Sequence, residues 1–104
     1  MSEMVGYYIM ANGFKDKKEK EEYIELAKDF QGAEVREDNN NNVIAEVLNG
    51  WRGGGLSCKE ILQEHFGEWL REHPHILFHA EVSYLEHCPI EKFDGDEIKE
   101  GGND

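Results

Sequence analysis

"AEVREDNNNNVIAEVLNGW", residues 33–51, holds two strand-like runs joined by four consecutive asparagines. Asparagine tolerates the left-handed backbone and hydrogen-bonds its own main chain, so Asn39 to Asn42 predict a hairpin turn. The flanking runs, 33–38 and 43–51, are then adjacent antiparallel strands. Four polar residues are too few to separate two domains, so the chain is expected to continue in one fold through this point.

On either side of the hairpin lies a helix-like segment. Upstream, residues 15–32 place Asp16 three residues before Glu19, a capping pattern, and repeat Tyr23, Leu26, Ala27 and Phe30 at helical spacing before Gly32. Downstream, residues 57–73 pair Ser57 with Glu60 in the same way. Their apolar stripe is Ile61, Leu62, Phe66, Trp69 and Leu70, and Pro74 marks the stop. Residues 4–14 and 75–87 are the outer strand-like runs.

The predicted order is strand, helix, strand, strand, helix, strand. Two right-handed βαβ crossovers in that order predict an α+β ferredoxin-like (split βαβ) two-layer sandwich. Its four-stranded antiparallel sheet would run in the order 4-1-3-2, with both helices on one face. Residues 1–88 are expected to form this domain, and 89–104 an acidic, Gly-rich, aperiodic tail that is mobile.

The formal charge is −12. Such a field repels phosphate backbones and anionic lipid, so neither nucleic acid nor a membrane surface is an expected partner. An acidic mimic that blocks a basic groove on another protein is a further reading of the same charge. Residues 1–14 are too short and polar for a membrane span and lack the basic head of a signal peptide. With two cysteines, too few for a secreted disulfide framework, the expected compartment is cytoplasmic.

Between the hairpin and the second helix stand Arg52, Gly53, Gly54, Gly55, Ser57 and Cys58. Unpaired N–H groups and dipole charge at a helix start favour a small anion, and glycines allow close approach. The spacing matches neither a Walker loop nor a dinucleotide fingerprint, which leaves a capped flexible joint as the alternative. Cys58, at the first helical position, would be biased toward thiolate by the dipole. In the predicted topology His87 and Cys88 come to the same end, and His65 shares the flank of Cys58. Those four residues match no zinc spacing, so no metal and no cofactor are expected.

All five histidines follow position 64. Strand alternation sets His75, His79 and His87 on one face, with His75 and His79 roughly 13 Å apart, too far to share one ion. The same alternation assigns Tyr8, Met10, Ile44, Glu46, Leu48, Leu77, His79, Glu81 and Leu85 to the sheet face that the helices leave uncovered. An apolar face of that kind predicts a homodimer or a docking surface for a protein partner, and hence a binding or regulatory module. An enzyme with a cavity on that face is the second expectation, with Tyr8 and His79 as polar groups and His79 as general base. Cys58 is the other catalytic candidate.

Overall fold

The computed structural model describes residues 3–52, 57–84 and 90–99. In chain order the elements are β1 (Glu3–Asn12), α1 (Lys17–Lys28), β2 (Glu34–Glu37), β3 (Val43–Arg52), α2 (Cys58–Glu72), β4 (Leu77–Tyr84), β5 (Ile90–Asp94) and α3 (Gly95–Lys99). The chain is α+β, with one open antiparallel sheet in the order β2-β3-β1-β4-β5. The sheet therefore has five strands where four were expected. The difference lies in residues 90–99, read from sequence as part of an aperiodic tail. Ile90–Asp94 pairs with His79–Ser83 of β4, and Gly95–Lys99 folds back as a third helix.

The helices start where their caps stand. Asp16 accepts a hydrogen bond from the Glu19 N–H, and Ser57 and Glu60 form a complete capping box at α2. After α1 the chain turns through two left-handed residues, Gln31 and Gly32. The asparagine turn has a device that composition does not announce. The Asp38 carboxylate accepts from the backbone N–H groups of Asn40 and Asn42 and from the Asn42 side chain, while Asn41 takes a positive φ of 64°. The Asn42 amide oxygen in turn accepts from Asn12 of β1 at 2.6 Å, which ties the turn to the central strand.

Strand alternation divides the sheet cleanly. Val5, Tyr7, Ile9 and Ala11 of β1 are buried beneath the helices, together with Val43, Ala45 and Val47 of β3 and Phe78, Ala80 and Val82 of β4. α1 buries Tyr23 and Ala27 in the same layer, and α2 buries Cys58, Leu62, Phe66 and Leu70. Ile98 of α3 and Phe93 of β5 complete it. Phe66 is the point of convergence, with ring centroids 6.0 Å from Tyr23, 5.4 Å from Phe30 and 5.2 Å from Phe78.

Phe66→Ala should remove the contact shared by both long helices and the sheet, lowering unfolding free energy by about 3–5 kcal/mol, as read from urea denaturation. Tyr23 is fully buried, and its hydroxyl has no hydrogen-bond partner among the described residues. Tyr23→Phe should therefore raise stability in the same assay, by roughly 1 kcal/mol.

Candidate functional site

Among the described residues, three places in the fold hold groups capable of chemistry or recognition. The first is the start of α2, where the Cβ-bearing residues are already committed to one another. The Ser57 hydroxyl accepts from the Glu60 N–H at 3.2 Å, and the Glu60 carboxylate accepts from the Ser57 N–H at 3.1 Å. The protein thus sets its own carboxylate at the helix terminus, where an external anion would compete with it. Of the expected anion site, Gly53, Gly54, Gly55 and the Arg52 side chain lie outside the described residues.

Cys58 points inward and is wholly buried. Its Sγ lies 3.7 Å from the Tyr84 hydroxyl, which donates at 2.6 Å to the Glu91 carboxylate of β5. Because Tyr84 spends its proton on Glu91, its oxygen is left to accept from the Cys58 thiol. Tyr7 borders the same sulfur from the central strand. Burial, followed by the neighbouring Cys58, holds the Tyr7 hydroxyl well above the usual tyrosine range. Desolvation and the hydrogen bond to Glu91 do the same for Tyr84. Cysteine here closes a polar chain inside the core rather than facing a substrate.

His65, expected on the flank of Cys58, is instead occupied between the long helices. Its Nε2 lies 2.7 Å from the Leu26 carbonyl, and its ring packs on Phe30 and Phe66. His87 and Cys88 lie outside the described residues. Among the described residues no three His, Cys, Asp or Glu side chains form a group suited to a metal ion.

The second place is the uncovered sheet face. The register puts Tyr8 opposite both Glu46 and Glu81, and Met10 opposite both Ile44 and His79, so these residues share the face as expected. Leu85 lies outside the described residues. The face is less apolar than expected. Ile44 is itself buried, Glu46 is ion-paired with Arg36, and the His79 Nε2 lies 2.9 Å from the Glu81 carboxylate. Among the described residues, the exposed large apolar side chains are Leu77 at one end and Met4, Leu48 and Ile90 toward the other. There the register brings Ile90 opposite Ser83, Ser83 opposite Gly6, and Met4 two residues before Gly6. Met4, the second residue of β1, was not singled out from the strand-like run 4–14, and Ile90 lay in a supposed tail. Cavities of about 330 and 450 Å³ lie at the sheet margins. The smaller is lined by Gln31, Glu34, Glu46 and Leu48, and neither is lined by Tyr8 or His79.

The third place was not singled out from sequence. Glu19 of α1 is buried, and its Oε1 accepts from the Lys15 N–H at 2.9 Å and from His75 Nε2 at 2.6 Å. His73 Nε2 stands 3.7 Å from the other oxygen. The signal was present as a capping glutamate and an His-Pro-His triplet, but 54 residues separate Glu19 from His73, and only the fold joins them.

No protein-family model, curated protein or solved structure matches the chain. No helix among the described residues is long and apolar enough to cross a membrane.

The burial of Cys58 has a direct chemical readout. In a Cys88→Ser variant, which isolates the remaining thiol, a disulfide reagent should label Cys58 orders of magnitude more slowly in the folded protein than in denaturant. Labelling monitored by absorbance checks this, and equal rates in the two states would show the thiol to be accessible.

Proposed function

We propose that this chain is a small acidic binding or regulatory protein that acts through the uncovered sheet face, by self-association or by docking a protein partner. The observation that carries this reading is the exposure of Met4, Leu48 and Ile90, 43%, 70% and 56% respectively, on three different strands of that face. Large apolar side chains gathered on an otherwise polar surface lose water favourably when covered by another surface. The half-buried Tyr8 and Met10 continue the patch toward the centre, where Glu46 and Glu81 offer hydrogen-bond acceptors.

In this reading the strands β1 to β4 form a split βαβ core of the ferredoxin-like kind, and β5 with α3 is an extension that widens the docking face. The strong negative charge favours a partner with basic residues around an apolar centre. It also disfavours a nucleic acid.

Self-association is the arm tested first. Sedimentation velocity over a micromolar concentration series should show a concentration-dependent dimer. Leu48→Lys and Ile90→Lys should each weaken it by at least tenfold, about 1.4 kcal/mol, with helix content by circular dichroism unchanged. Leu77→Lys, at the far end of the face, should weaken it less. A wild-type protein that stays monomeric through the series removes self-association and leaves heterologous docking. Equal effects of Leu48→Lys and Leu77→Lys would misplace the patch.

A further inference from the structure

Glu19 is a carboxylate at the start of α1 whose side chain is only 2% exposed. Burial alone would raise its pKa. Hydrogen bonds from His75 and the Lys15 N–H, with the charge of the two histidines, outweigh that and leave it lowered. One oxygen is doubly hydrogen-bonded, whereas Oε2 has no hydrogen-bond partner among the described residues. An ionised, desolvated oxygen left in that state is costly.

The nearest group able to serve it is His73, whose tautomer is settled by its other nitrogen. His73 Nδ1 lies 2.8 Å from the Trp69 carbonyl, an acceptor, so Nδ1 carries the proton of the neutral ring. The ring is held there by stacking on Trp69 at 3.9 Å and an interplanar angle of 18°. In the neutral ring Nε2 therefore presents a lone pair toward Glu19 Oε2, 3.7 Å away. A second proton can enter only at Nε2, which turns that repulsion into a charge-assisted hydrogen bond after a small closing motion. The groups facing His73 are Glu19 and Glu22 from α1, with Glu22 at 4.0 Å, His75 from the α2–β4 connection, and Trp69 on its own helix. Both charged neighbours from α1 are acidic.

We propose that Glu19, His73 and His75 form a proton-operated latch between the start of α1 and the α2–β4 connection, in which a proton bound at His73 Nε2 supplies the missing partner of Glu19 Oε2. The sign follows from linkage. The latch gains a contact when His73 is protonated, so its contribution is present at mildly acidic pH and fades as pH rises through the histidine range. Glu19 sets the lower limit: the hydrogen bonds from His75 and the Lys15 N–H hold its carboxyl below the usual carboxylate range, so it stays ionised at mildly acidic pH and its contribution is lost on further acidification. The latch is closed between these limits.

The test combines two measurements on the intact chain. Nitrogen-15 correlation spectra should show neutral His73 as the Nδ1–H form at about pH 8 and a proton on Nε2 at about pH 5.5, inside the range where histidine charge changes. Urea midpoints should fall from about pH 5.5 to pH 8 in the wild type, and this fall should be at least halved in both His73→Gln and Glu19→Gln. It should be reduced less in His79→Gln, which removes a more exposed histidine–carboxylate contact on the opposite sheet face. The acidic chain also gains general stability as net charge falls, and the part of the fall that remains in all three variants is that background. An Nε2–H tautomer at about pH 8, or a pH dependence in His73→Gln equal to the wild type, overturns the latch. The spectra of the wild type decide the matter even if Glu19→Gln does not fold.

Discussion

The ring of Phe66 is the constraint on which the architecture depends. Through it α2 meets Tyr23 of α1 and Phe30 just beyond that helix, and the same ring meets the sheet at Phe78. Helices of 12 and 15 residues are marginal by themselves in water, and their stability comes from burying one face. Tyr23 and Ala27 on α1, and Leu62, Phe66 and Leu70 on α2, are those faces. The aromatic contacts lock the two helices onto β1 and its neighbours, which leaves the reverse side of the sheet uncovered. The candidate recognition surface exists because the core is built on one side only.

β5 and α3 show how a weak local signal becomes structure. Five residues of helix cannot stand alone, and a five-residue strand gains its hydrogen bonds only from a partner. β4 supplies that partner. Phe93 and Ile98 then enter the common core, and the Gln63 and Arg71 side chains of α2 donate to the Glu97 and Lys99 carbonyls at the end of α3. The added strand also pairs the edge of β4, reducing the exposed row of backbone groups that invites unplanned strand pairing. It delivers Glu91 to Tyr84, and thereby completes the polar chain that ends on Cys58.

The acidic surplus is partly structural. Asp16 and Glu60 serve helix starts, Asp38 organises the asparagine turn, Glu91 engages Tyr84, and Glu19 joins α1 to the histidines after α2. In each case a carboxylate accepts hydrogen bonds from donors of the backbone, a hydroxyl or an imidazole. Charges placed this way act locally over one or two hydrogen bonds. The rest of the negative field acts at long range, on what approaches the molecule.

Local chemistry in the sequence sufficed for the first six elements, β1 to β4 with α1 and α2, and for the two faces of the sheet they form. Alternation in β1, β3 and β4, the paired capping residues and the asparagine turn are written within a few residues of one another, and periodicity reads at that distance. It was also enough to bring the start of α2 to the end of β4, where Cys58 does meet Tyr84. Three things were decided only by tertiary structure. Ile90–Lys99 fold because β4 and α2 are already there to receive them. His65 turns to the Leu26 carbonyl rather than to Cys58, because the gap between the helices, and not its helical phase, selects its partner. Glu19 meets His73 and His75 because the sheet carries α1 and the end of α2 to the same edge of the core. The last of these could not be read in advance, since a hydrogen bond between groups more than fifty residues apart leaves no periodic trace in the chain that makes it.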